Sequence, residues 1–198
     1  MTLAGGDAID IRRFSDIVSN DNASNACLLA DLDCIFFEAS MTKTFASLEV
    51  RAAFRERWLG RYLTREPHLA FLAFVGSSPG PASLAGYVVG ALEDPAQGDR
   101  YADIGYFPSL AELTQRFPAH LHINLAPHAR GHGLGGVLIE RFVAEARASR
   151  SPGVHVVTGA ASRNTSFYKR NGFTYEHRFT WGGRENVFLG RTLSGDSG

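Results

Sequence analysis

Apolar positions along the chain change their spacing several times, and each spacing predicts a different element. Ile9 and Ile11 alternate with polar residues, so residues 9–14 read as a first strand. Residues 20–25 form a polar cluster suited to capping, and residues 26–37 read as helix or mixed structure. Over 47–63, Val50, Phe54 and Trp58 recur at every fourth position, while Leu59, Tyr62 and Leu63 widen the stripe. That period predicts a helix ending before Pro67. Two continuous apolar runs follow, 69–75 and 84–92, divided by a turn over 76–81 that contains two prolines. They read as an antiparallel hairpin of buried strands.

Residues 93–118 break this rhythm. Glu93, Asp94, Asp99, Asp103 and Glu112 mix with Tyr101, Tyr106, Phe107 and Phe117. A connection this long is either a binding loop or lid, or a surface excursion with one short helix near 109–115; the pattern leaves both open. Alternation resumes at 120–125, with His120, His122 and Asn124 on one face and Leu121, Ile123 and Leu125 on the other. Pro127 ends that strand, and a glycine-rich turn over 130–136 runs into an amphipathic helix over 134–146. A strand at 154–158, a short helix at 164–171 with Gly172 at its C′ position, and a hairpin of 173–181 with 185–189 about Gly182-Gly183 complete the chain. This order predicts an α/β (α+β mixed) fold, with a central mixed, mostly antiparallel twisted sheet and flanking helices.

Composition narrows the classes. The 198 residues suit one domain over 1–198, with small-residue ends at 1–7 and 193–198 expected to fray. A formal net charge of zero argues against a nucleic-acid partner. Arg51, Arg55, Arg57, Arg61 and Arg65 crowd the predicted 47–63 helix and read as a solvated face. Cys27 and Cys34 lie two helical turns apart, outside disulfide reach within a helix, and fit a reducing, cytoplasmic setting. No signal peptide or membrane span is expected, since no apolar run nears the roughly 18 residues a span needs. No metal is expected either: His120 and His122 have no third ligand at a sensible spacing.

The candidate chemistry centres on Leu125-Ala126-Pro127-His128-Ala129-Arg130-Gly131-His132-Gly133-Leu134-Gly135-Gly136. A strand enters glycines, and the glycines open a helix. The first turn of a helix offers unpartnered N–H groups and the positive end of its dipole, so the segment suits a phosphate or pyrophosphate. Val137-Leu138 stands where a P-loop would carry Lys and Ser/Thr. Gly131, Gly133 and Gly136 spell a dinucleotide fingerprint, but Val157-Thr158-Gly159 ends the next strand without the required acid.

Arg130, Gly133 and Gly135 match the pattern Arg/Gln-x-x-Gly-x-Gly/Ala, and Asn164-Thr165-Ser166-Phe167-Tyr168-Lys169-Arg170-Asn171-Gly172-Phe173 is similar to Asn-x-x-x-x-Tyr-x-x-x-Gly-Phe. The departure is one residue fewer between Asn164 and Tyr168, while Tyr168 to Phe173 keeps the pattern's spacing. In these two motifs, and their order, the chain resembles the Gcn5-related N-acetyltransferase (GNAT) superfamily from about residue 69 to 189. Residues 117–124 are similar, more narrowly, to the acetyltransferase-like domains of the O-GlcNAc hydrolase type and their stand-alone bacterial relatives.

The GNAT resemblance implies two splayed parallel strands and acetyl-CoA as co-substrate. Leu125 and Ala126 would meet the pantetheine arm. Arg130, Gly131, His132, Gly133, Leu134, Gly135 and Gly136 would hold the pyrophosphate. Asn164 would contact the cofactor and Phe167 would pack near it. Tyr168 would protonate the leaving thiolate. A primary amine, of a small molecule or of a peptide or protein, would accept the acetyl group, and the family admits a homodimer. An imidazole has a suitable pKa for the general base, and His122 lies on the strand leading to the cofactor, with His120, Glu93 and Asp94 as rivals. The narrower likeness implies a second reading, a CoA- or partner-binding module without turnover.

Overall fold

The computed structural model describes residues 9–18, 21–76, 84–162 and 164–193. Apart from Gly76 and Leu193, the expected 76–81 turn and the two fraying ends lie outside these residues. The elements in chain order are β1 Ile9–Arg13, α1 Phe14–Ile17, α2 Asn22–Ala39, α3 Leu48–Arg55, a π-helical turn Glu56–Gly60, α4 Arg61–Arg65, β2 Phe71–Val75, β3 Leu84–Ala91, α5 Ala111–Arg116, β4 Ala119–Leu125, α6 Leu134–Ala148, β5 Gly153–Gly159, α7 Asn164–Arg170, β6 Tyr175–Trp181 and β7 Arg184–Thr192. The seven strands follow the order β1-β2-β3-β4-β5-β7-β6. β4 and β5 pair in parallel over two positions, Ala119↔Val154 and His120↔His155, although each strand has seven residues. This is the mixed α/β sheet expected from the sequence. The described chain divides into two compact units: one runs to Gly90 and resumes at His122–Phe142, and the other holds Ala91–Leu121 and Val143 onward.

In the first unit, local chemistry sets the helix ends. The Asp21 carboxylate accepts from the N–H groups of Ala23 and Ser24 and caps α2, and these bonds lower its pKa, the Ser24 hydroxyl first among them. Ser47 Oγ accepts from the Val50 N–H and caps α3. The expected 47–63 helix is not continuous. The π turn inserts one residue: Leu59, Tyr62 and Leu63 are buried, Phe54 before it is half-buried, and Val50 is exposed. The arginine face is also more than solvated: Arg55 Nε lies 2.6 Å from Asp33 Oδ1, and the Arg51 guanidinium stands 3.6 Å over the Phe37 ring. Both tie α3 to α2.

In the second unit, residues 93–118 hold the expected short helix as α5, but they are not a plain surface excursion. Tyr101, Ile104, Tyr106, Phe107, Leu110 and Phe117 are buried and form core. The Phe117 ring rests on two glycines: a Cβ on Gly153 or Gly190 would fall within 2.5 Å or 2.8 Å of it. Gly182 and Gly183, with φ of 57° and 72°, close the two-residue turn of the β6–β7 hairpin. Gly172, φ 84°, ends α7 as expected, with the Phe173 N–H donating to the Tyr168 carbonyl at 3.2 Å.

Candidate functional site

The glycine segment belongs to the first unit. After β4, Pro127–Ala129 makes one 3-10 turn, and α6 begins at Leu134. Gly131 and Gly133 have φ of +83° and +82°, a region that side-chain-bearing residues avoid. A Cβ at either would meet nothing within 4 Å. Tight helix–strand packing therefore does not explain these two glycines, which are exposed and line open space. Among the described residues, no backbone N–H from Gly131 to Gly135 donates to a backbone carbonyl; the next, of Gly136, donates to Gly133 at 3.0 Å. Successive free N–H groups at the start of a fifteen-residue helix form a cradle that fits an anion.

Arg130 turns away from this cradle. Its Nε donates to the Leu125 carbonyl at 3.0 Å, and its Nη2 pairs with Glu38 Oε2. The Ala126 N–H donates to the Ala85 carbonyl at 2.9 Å. Two backbone groups at the strand end thus already have partners within the unit. β3 passes very close here: a Cβ on Gly86 would lie 2.8 Å from the Asn124 carbonyl and 3.2 Å from Leu125 Cα.

His122 and Asn124, on one face of β4, are anchored by residues the sequence did not mark as functional. Tyr62 Oη lies 3.1 Å from His122 Nε2, and Trp58 stands edge-on to the imidazole with ring centres 5.2 Å apart. Asn124 Nδ2 donates to Tyr87 Oη at 2.8 Å. Burial raises the Tyr87 pKa, so its phenol stays protonated at neutral pH. Trp58 and Tyr62 belonged to an apolar stripe and Tyr87 to an apolar run, where an aromatic reads first as core.

The second unit holds the other candidates. Tyr168 is buried between Phe167 and Phe173, with ring centres 5.3 and 5.5 Å away, and burial raises its pKa. Asn164 begins α7, its N–H donating to Ser162 Oγ at 3.1 Å. Of the rival bases, His120 is buried edge-on to Tyr101 at 4.8 Å and 5.5 Å from the His155 ring. Glu93 pairs with Arg100, and Asp94 Oδ1 accepts from the Ala96 N–H, closing a turn. His155 Nδ1 donates to the Phe117 carbonyl at 2.5 Å, and burial lowers its pKa to about 4. Among the described residues, no three His, Cys, Asp or Glu side chains gather as a metal site, and no helix is long and apolar enough to cross a membrane.

Residues 83–175 match the family model of the acetyltransferase (GNAT) domain, a stretch that includes β4, the glycine segment and α7. Just under half of the chain thus matches a GNAT-type acetyltransferase domain. Similar solved structures include the protein SsHAT, at 20% identity and TM-score 0.64, covering 95% of this chain and 100% of that one. A chain of the NatC complex bound to Gag peptide and CoA matches at 14% identity and TM-score 0.59, with coverage of 94% and 99%. Ribosomal-protein-alanine N-acetyltransferase from Brucella melitensis matches at 18% identity and TM-score 0.51, with coverage of 92% and 99%. At such identities these likenesses show the fold.

Proposed function

We propose that the protein transfers the acetyl group of acetyl-CoA to a primary amine of a small molecule or a peptide. The observation that carries this reading is the cradle of Gly131 and Gly133 at the start of α6, with its open φ-positive glycines and free N–H groups. A pyrophosphate fits it, and the residues from Arg130 to Gly136 would hold that group, Arg130 through its backbone because its side chain is engaged by Glu38. The strand end at Leu125 and Ala126 would meet the pantetheine arm. That the NatC complex, one chain of which has a similar fold, is bound to CoA supports the same assignment.

Acetyl transfer requires the amine to lose a proton, because an alkylammonium near pKa ~10 has no lone pair to attack with. His122 is assigned that proton, since it is half-buried on β4 while His120 is in core, Glu93 is ion-paired and Asp94 closes a turn. Tyr168 is assigned the return of a proton to the leaving thiolate. The role rests on its place in the α7 motif; burial raises its pKa, so the phenol is neutral but a weaker acid than an ordinary tyrosine. Asn164 is assigned to the cofactor and Phe167 to packing.

A second reading is a CoA- or partner-binding module without turnover; the internally satisfied Leu125 carbonyl and Ala126 N–H, assigned above to the pantetheine arm, favour its partner-binding form. Thiol release from acetyl-CoA over a panel of primary amines and amino-terminal peptides separates the two. Amine-dependent release supports the enzyme; CoA binding with no release across the panel supports the module.

A further inference from the structure

We propose that the hollow between α2 and α3 binds a small organic acid, its carboxylate held by Arg51 and Lys43 and its apolar body set against Phe37, Phe45 and Leu48. The inference goes beyond the proposed function, since it needs neither acetyl-CoA nor turnover. Every group in it lies in the first unit.

The hollow forms where α2 hands over to α3. α2 ends at Ala39, and the chain reaches Leu48, the first residue of α3, through residues 40–47. Phe45, within that crossing, packs edge-on to Phe37 with ring centres 5.8 Å apart, and against Phe54 at 5.3 Å. Beside these rings lies a cavity of about 500 Å³, whose lining includes Phe37, Phe45, Leu48, Lys43 and Arg51. That volume is in the range of small-molecule sites. Leu48 is 78% exposed, so the apolar side of the cavity is left uncovered.

The charge of the cavity is one-sided. No carboxylate lines it. The acids nearest in sequence are engaged elsewhere, Glu38 by Arg130 and Glu49 by the Ser47 hydroxyl. Lys43 Nζ donates to the Phe37 and Glu38 carbonyls at the end of α2, which uses two of its three hydrogens. The Arg51 guanidinium stands 3.6 Å over the Phe37 ring, and among the described residues no carboxylate pairs with it. Contact through the guanidinium face leaves its in-plane N–H groups for an acceptor. An anion with an apolar body satisfies both halves of this lining. A neutral ligand would leave the cations without a partner, and a bare anion would leave the rings in water.

The test is amide-shift NMR of the full chain with phenylacetate, phenylacetamide and acetate as probes. Phenylacetate should give a saturable shift at residues 42–51, with a dissociation constant on the order of 1 mM. Phenylacetamide and acetate should each bind about tenfold more weakly, and Arg51→Gln should cost phenylacetate about tenfold. No saturable shift at 42–51 overturns the proposal. So does equal binding of the amide, which removes the cations from recognition, or of acetate, which removes the rings. These comparisons use the wild-type protein and do not depend on any variant folding. A folded Arg51→Gln protein with unaltered affinity overturns the placing of the carboxylate on Arg51.

Discussion

At the scale of single residues, burial does more than pairing to set the chemistry. His155 is 1% exposed and stacked on Phe188, and its pKa falls to about 4. An unfolded chain binds that proton near pH 6.5, and the folded chain resists it. Unfolding therefore takes up a proton between those values, and stability is lost as pH falls from about 6.5 towards 4, by on the order of 3 kcal/mol for this group. Denaturant unfolding at several pH values should show this slope in the wild type and a shallower one in His155→Gln; equal slopes would contradict it. Tyr168 is displaced in the other direction, towards a persistently neutral phenol. Tyr168→Phe should lower kcat by roughly 10- to 100-fold while leaving the CoA dissociation constant within about twofold, as for a proton donor that does not bind the cofactor. The sequence made His122 and Asn124 visible through their shared face, because alternation on a strand has a period of two. It hid Tyr62, Trp58 and Tyr87, because an aromatic in an apolar stripe looks the same whether its hydroxyl or ring edge is used or not.

At the scale of elements, the glycine segment was legible and its details were not. The letters predict a helix opening on glycines; they do not say which glycines need positive φ or which merely pack. Gly131 and Gly133 need the conformation and face open space. Gly131→Ala and Gly133→Ala should each weaken CoA binding about tenfold or more, by tilting the N–H cradle, and cost only about 1 kcal/mol of stability. Isothermal titration and denaturant unfolding measure the two separately. Gly86 is the opposite case, since its missing Cβ is replaced by the Asn124 carbonyl and Leu125. Gly86→Ala should destabilise by about 1–3 kcal/mol, because backbone cannot move aside as a side-chain tip can. The π turn was not legible: a period of four from Val50 to Trp58 reads as unbroken helix, and the extra residue shows only in which side chains end up buried.

For the whole molecule, the order of strands and helices was readable because β-runs, glycine turns and amphipathic helices punctuate it strongly. The mixed sheet, the parallel pairing of β4 with β5, and the final hairpin all follow the sequence expectation. Residues 93–118 misled because acids and aromatics together suggest an exposed loop. The aromatics instead build core, with Phe117 seated on Gly153 and Gly190. The acceptor amine left no mark in the sequence, because selectivity comes from the shape of a site rather than from a motif.

The central claim is that the glycine cradle binds the pyrophosphate of acetyl-CoA. Its most direct measurement is the unfolding midpoint of the full chain with acetyl-CoA, CoA, NAD or ATP at equal excess. A ligand bound only by the folded state stabilises by about 2.7 kcal/mol at a hundredfold excess over its dissociation constant. The account predicts that acetyl-CoA and CoA raise the midpoint, that NAD does not, and that Gly133→Ala reduces the rise. An unmoved midpoint with both CoA species, or an equal rise with NAD, would contradict it.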